Sequence, residues 1–150
     1  MPKKPMTWER GRGKLGALAP LLGTWQARAK SPLGAVRCTR TFAPILDGTY
    51  IQLTAHWRFA RRTYSEQAVF GVSDSRICFW SFTSDGKRSQ GARTDVSDIH
   101  PQAIGFEAQM PAGLARVAYW PHAEGGFNWA VEAKTKKGWK RFTEHHYLPA

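Results

Sequence analysis

Residues 49–59 alternate without a break. Ile51, Leu53, Ala55, Trp57 and Phe59 fall on one side, and Tyr50, Gln52, Thr54, His56 and Arg58 on the other. A period of two is the spacing of a strand with one buried face. The same alternation recurs in 103–110, where Ile104, Phe106, Ala108 and Met110 oppose Gly105, Glu107 and Gln109, and in 127–134, where Phe127, Trp129, Val131 and Ala133 oppose Asn128, Ala130, Glu132 and Lys134. Runs rich in aromatic and β-branched residues are predicted as strands over 24–30, 36–44, 49–59, 63–72, 76–83, 88–95, 103–109, 114–120, 127–135 and 139–148. Between them lie Pro32-Leu33-Gly34, Asp47-Gly48, Ser73-Asp74-Ser75, Asp85-Gly86, Gly125-Gly126 and similar turn sequences, which supply the backbone conformations that hairpins require.

Connections this short join only antiparallel neighbours, because a parallel crossover needs a dozen or more residues. A meander of about ten strands twists too strongly to stay open, and closure removes both of its edges. The expected fold class is therefore all-β, an up-and-down antiparallel barrel. Only Leu15, Leu18, Leu21 and Leu22 recur at helical spacing, so a short helix ending at Gly23 precedes the first strand. Residues 1–14 read as a mobile basic arm, and 15–150 as a single barrel domain. The run 76–83 is apolar on both faces, so an outer cover is expected there, either the amino-terminal segment or a second subunit in a homodimer.

Leu18-Ala19-Pro20-Leu21-Leu22-Gly23-Thr24-Trp25 leads a short helix into Gly-x-Trp at the first strand. That opening resembles the lipocalin and calycin barrels, most closely a family of lipocalin-like bacterial barrels. The final run, Gly138 to Tyr147, resembles that family's closing strand. The resemblance implies that Trp25 closes the barrel base beneath a basic side chain of the last strand, Arg141 or Lys140. Nitrobindins, haem-binding calycin relatives, share a similar Leu-x-Gly-Thr-Trp opening and use a histidine near the carboxyl terminus as axial ligand. His145 or His146 would take that place in a haem barrel. The non-haem reading needs no cofactor.

Chemistry is sought at polar residues that share a face with apolar ones, since each must find a partner or a ligand. Faces assigned by their apolar majority give Arg40 (with Val36, Cys38 and Phe42), Glu66 (with Tyr64, Ala68 and Phe70), Arg116 (with Leu114, Ala118 and Trp120), and His145 and Tyr147 (with Trp139, Arg141 and Thr143). Arg40 or Arg116 would bind an acidic head group, much as fatty-acid-binding barrels capture a carboxylate. His145 and Tyr147 would add hydrogen bonds, and Trp57, Tyr64, Phe106 and Trp129 would enclose an apolar body. The other reading of these residues is an internal ion pair of Glu66 with Arg40 or Arg116 in a filled core.

Composition narrows the picture. The 150 residues carry 22 Lys and Arg against 11 Asp and Glu, a formal net charge of +11. Cations interleave with aromatics at His56–Tyr64 and Lys134–Phe142, a pattern suited to nucleic acid or another polyanion and the basis of an alternative, outer-surface function. Two cysteines, Cys38 and Cys78, are too few for a disulfide framework, and the five histidines show no metal-ligand spacing. No nucleophile elbow, phosphate loop or zinc-protease signature is present, so the expectation is a non-catalytic binder. Ala27-Arg28-Ala29 mimics a signal-peptidase site, but cleavage there would destroy the first strand. A cytoplasmic protein with no membrane partner is expected, because no apolar run is long enough to span a bilayer.

Overall fold

The computed structural model describes residues 7–150. A six-residue 3-10 helix, Gly16–Leu21, precedes ten strands. These are β1 (Gly23–Ser31), β2 (Gly34–Ile45), β3 (Tyr50–Arg58), β4 (Thr63–Ser73), β5 (Arg76–Thr83), β6 (Arg88–Thr94), β7 (Ile104–Met110), β8 (Gly113–Pro121), β9 (Phe127–Thr135) and β10 (Gly138–Pro149). Each strand pairs antiparallel with the next, and β10 returns to β1, closing an up-and-down barrel. Two glycines are required by close backbone approach. A Cβ on Gly91 would collide with the Glu107 carbonyl across the β6–β7 pair, and one on Gly126 would collide with that of Tyr147.

The meander sorts its turns into two ends. One end is closed. Leu18 and Leu21, three residues apart on a 3-10 turn, lie on one side of it and are fully buried in the barrel core. The Trp25 indole N–H donates to the Leu21 carbonyl at 2.8 Å, and its ring meets Phe127 edge-on at 4.8 Å. Trp25 therefore fastens the helix to the barrel base. Of the basic arm expected over 1–14, residues 1–6 lie outside the described residues. Trp8 packs against the core cluster, and its backbone N–H faces the Gln102 side-chain oxygen at 3.4 Å. Above the helix, Phe42, Phe70, Phe106, Tyr119, Phe127 and Tyr147 fill the closed half.

The other end flares. β1 and β10 share only the pairs Trp25↔Pro149 and Gln26↔Leu148, both near the base. β6 and β7 pair only from Ala92↔Glu107 to Thr94↔Gly105, so their upper halves part.

Two face assignments are corrected. Arg116, Ala118 and Trp120 point outward, and Ala115, Val117 and Tyr119 line the inside. Both faces of β8 are apolar because the segment 95–103 covers the outer one, burying Val96 against Ala118, Trp120 and Ala130. Arg116 staples that cover, bonded to both Asp98 carboxylate oxygens (3.0 and 2.7 Å) and to Glu132 (2.8 Å). In β10, the register shift between Arg141 and Thr143 reverses the faces. Arg141 consequently lies outside, bonded to Glu132 at 2.9 Å and over the Trp120 ring, rather than over Trp25. On β5, the described amino-terminal residues are not the cover. The outward Trp80 lies beside Tyr50 at Gly71, and Phe82 is 57% exposed.

The closed end sets a first prediction. Leu21→Ala lowers stability by about 2–5 kcal/mol, and Leu22→Ala, at an exposed neighbour, changes it by no more than about 0.5 kcal/mol. Urea unfolding of both variants measures the contrast.

Candidate functional site

The barrel is half filled and half hollow. Above the aromatic layer lies a chamber of about 270 Å³, walled by apolar side chains that include Leu53, Phe70, Phe79, Phe106 and Val117. It shares Glu66, Ser89, Met110, Trp129, Val131 and Phe142 with a wider mouth of about 580 Å³ at the flared end. Trp57 and Tyr64 stand in the mouth, their rings 5.1 Å apart, and Trp57 reaches across to Trp129 at 6.4 Å.

Arg40 is the chamber's polar centre. It projects inward from the middle of β2, opposite Ala55, and is 2% exposed. Four aromatic rings surround its guanidinium, with Cζ 4.8 Å from Trp129, 5.6 Å from Tyr119, 5.8 Å from Tyr147 and 5.9 Å from Trp57. Such rings partly replace the lost water. Nη2 donates to the Tyr119 hydroxyl at 2.7 Å. The nearest carboxylate, Glu66, is 4.0 Å from Nη2, and its other oxygen accepts from Ser81 Oγ at 2.5 Å. Nε and Nη1 of Arg40 are buried without a hydrogen-bond partner, and so is the Trp129 indole nitrogen. The Tyr147 hydroxyl acts on the guanidinium and the Tyr119 hydroxyl on the Trp129 indole, but neither contact reaches full hydrogen-bond geometry. Leaving a buried charge so poorly matched costs several kcal/mol.

Apart from Glu66, the neighbours carry no compensating charge. Burial raises the hydroxyl pKa values of Tyr119 and Tyr147, so both stay neutral. Burial, with repulsion from Arg40 second, lowers His145 to about 4. Burial likewise pushes the Cys38 thiol up to about 11.

Of the residues singled out from sequence, Arg40, Glu66, Phe106 and Trp129 line the chamber, and Trp57 and Tyr64 line the mouth. Tyr147 and His145 sit behind Trp129, with the His145 ring 4.9 Å from it and Nδ1 3.3 Å from the Tyr147 hydroxyl. Arg116 has its charged group outside. Tyr119 was missed because the Arg116 face of β8 carries the bulky Leu114 and Trp120, although Ala115, Val117 and Tyr119 alternate just as regularly. His146 faces outward, stacked on His122 at 3.5 Å, and His145 lines neither chamber nor mouth. Among the described residues, no group of three or more His, Cys, Asp or Glu side chains could hold a metal.

No protein-family model matches the chain, and no curated protein matches it in sequence. Among solved structures it is similar to a de novo designed fluorescence-activating β-barrel, 23% identical, covering 68% of this chain and 93% of that one with a TM-score of 0.44. That likeness is too distant to bear on what this barrel binds. The chain's own closed strand order defines the class: an antiparallel ten-stranded barrel with a partly hollow lumen.

His145 predicts a pH dependence. In the unfolded chain it takes up a proton near pH 6.5, but in the folded barrel only near 4. Between those values the unfolded state binds the extra proton, so stability falls as pH drops through that window. The loss is roughly 2 kcal/mol after allowing for partial solvent screening. Urea midpoints at pH 7.5 and 4.5 should converge in His145→Gln relative to the wild type; equal pH dependence in both proteins contradicts the assignment.

Proposed function

We propose that the barrel binds a small amphipathic molecule in its lumen, with an anionic or strongly accepting group against Arg40 and an apolar body in the chamber and mouth. The observation that carries this reading is the buried guanidinium whose Nε and Nη1 lack a well-formed hydrogen bond, at the wall of a mostly apolar cavity whose one carboxylate, Glu66, stays 4.0 Å from Nη2. A carboxylate or sulfonate oxygen would accept a charge-assisted hydrogen bond from Nη1 or from Nε, which lie on different edges of the guanidinium. Phe70, Phe79, Phe106 and Met110 would enclose hydrocarbon or an aromatic ring. Glu66, held by Ser81, limits how many anionic oxygens the site tolerates and favours a monoanion. The lipocalin-like opening at Leu18–Trp25 is in keeping with such a role. The reading is of binding without catalysis.

Removing a badly paired buried cation need not cost stability. Arg40→Met is expected to leave the unfolding midpoint within about 1 kcal/mol of wild type while weakening capture of an anionic naphthalene sulfonate dye by about 30-fold or more. Dye fluorescence titration alongside urea unfolding reads both. Undiminished dye binding in folded Arg40→Met protein would falsify the proposal.

A further inference from the structure

Charge is segregated by the topology. Turns at 32–33, 59–62, 84–87, 111–112 and 136–137 all lie at the open end, because successive turns of a meander alternate between ends. The β3–β4 tip carries Arg58, Arg61 and Arg62, and the β9–β10 tip carries Lys134, Lys136, Lys137 and Lys140, all exposed. Lys87 and Arg88 on the β5–β6 tip and Lys30 near the β1–β2 tip complete the collar, against a single tip carboxylate, Asp85. At the opposite end Asp47, Asp74, Asp95, Asp98 and Glu124 stand among Arg10, Lys14, Arg76 and Arg93, so the charges there largely offset one another. Apolar side chains stand among the collar's cations. Leu33 at the β1–β2 tip is 61% exposed, Phe142 at the β10 bulge is 62% exposed, and Phe82 lies near the end of β5. They surround a mouth that leads into an apolar chamber.

We propose that this open end docks on a lipid bilayer bearing acidic headgroups, with the tip cations at the phosphates, Leu33 and Phe142 in the interfacial region, and the mouth facing the membrane. Charge complementarity supplies the attraction, and each Lys or Arg near such a surface adds to it independently. The exposed Leu33 selects a bilayer over a nucleic acid, whose backbone offers an aliphatic side chain nothing to enter. The lack of a bilayer-spanning run, on which the expectation of no membrane partner was based, does not bear on docking at the surface. Nor does the inference depend on what the lumen holds.

Vesicle flotation tests it, using phosphatidylcholine alone and phosphatidylcholine with about 30 mol% phosphatidylglycerol. The full chain should float with the acidic vesicles, and binding should fall with added salt. Lys136→Glu/Lys137→Glu should lower the partition coefficient about tenfold or more, and Leu33→Ser several-fold. Arg12→Glu, a charge reversal in the segment before the helix at the closed end, should leave it unchanged. Circular dichroism verifies that the exposed-site variants are folded. Absent or equal binding to the two vesicle types overturns the proposal, as does an equal loss in Arg12→Glu. Tight, salt-sensitive binding of a single-stranded oligonucleotide that displaces the vesicles and is indifferent to Leu33→Ser would assign the collar to nucleic acid instead.

Discussion

A guanidinium placed in the middle of a hydrocarbon-lined lumen sets the terms for everything around it. Arg40 cannot lose its proton and cannot reach bulk water, so its surroundings must accommodate a charge. The barrel does so with aromatic faces, one tyrosine hydroxyl and a carboxylate held at 4.0 Å. Rings and a distant carboxylate soften the field but leave hydrogen-bond directions unfilled. His145 stays neutral beside the same charge, and the two tyrosines hold their protons. The lumen is thus a low-dielectric space with one fixed cation and a carboxylate 4.0 Å from it, where an acceptor on the cation's open directions gains far more than it would on the surface.

The fold makes this arrangement affordable by dividing the barrel along its axis. The closed half is dense with interlocking aromatics and is plugged by Leu18 and Leu21, so it carries the stability. The open half has shorter ladders at the β1–β10 and β6–β7 seams and encloses the hollow. Arg40 lies where the two meet. Packing and polarity are therefore separated in space, and the less regular half is free to admit a molecule.

Much of this was legible in the sequence, and the gaps have physical causes. Each of the ten predicted runs coincides with a strand, because nearly every turn announces itself by Gly, Asp or Ser and alternation persists between turns. The inward placement of Arg40, Glu66, Trp57 and Trp129 followed from alternation alone. It failed at Arg116, where a second small core under the 95–103 segment makes the outer face as apolar as the inner. It failed again at Arg141, because a bulge shifts the period by one residue without a mark such as glycine. Whether the interior was hollow depended on side-chain volumes summed across all ten strands, which no single run reveals. The charge segregation, by contrast, was present in the order of the turns and needed only the meander to be drawn.

A high-resolution crystal structure of the protein purified directly from its host bears most directly on the central claim. It should show an anionic or carbonyl-type oxygen of a bound small molecule about 3 Å from Nη1 or Nε of Arg40, with apolar density extending toward Phe106. Glu66 swung into a two-pronged pair with Arg40 over an empty or collapsed chamber would contradict it, because the cation would then be satisfied by the protein alone.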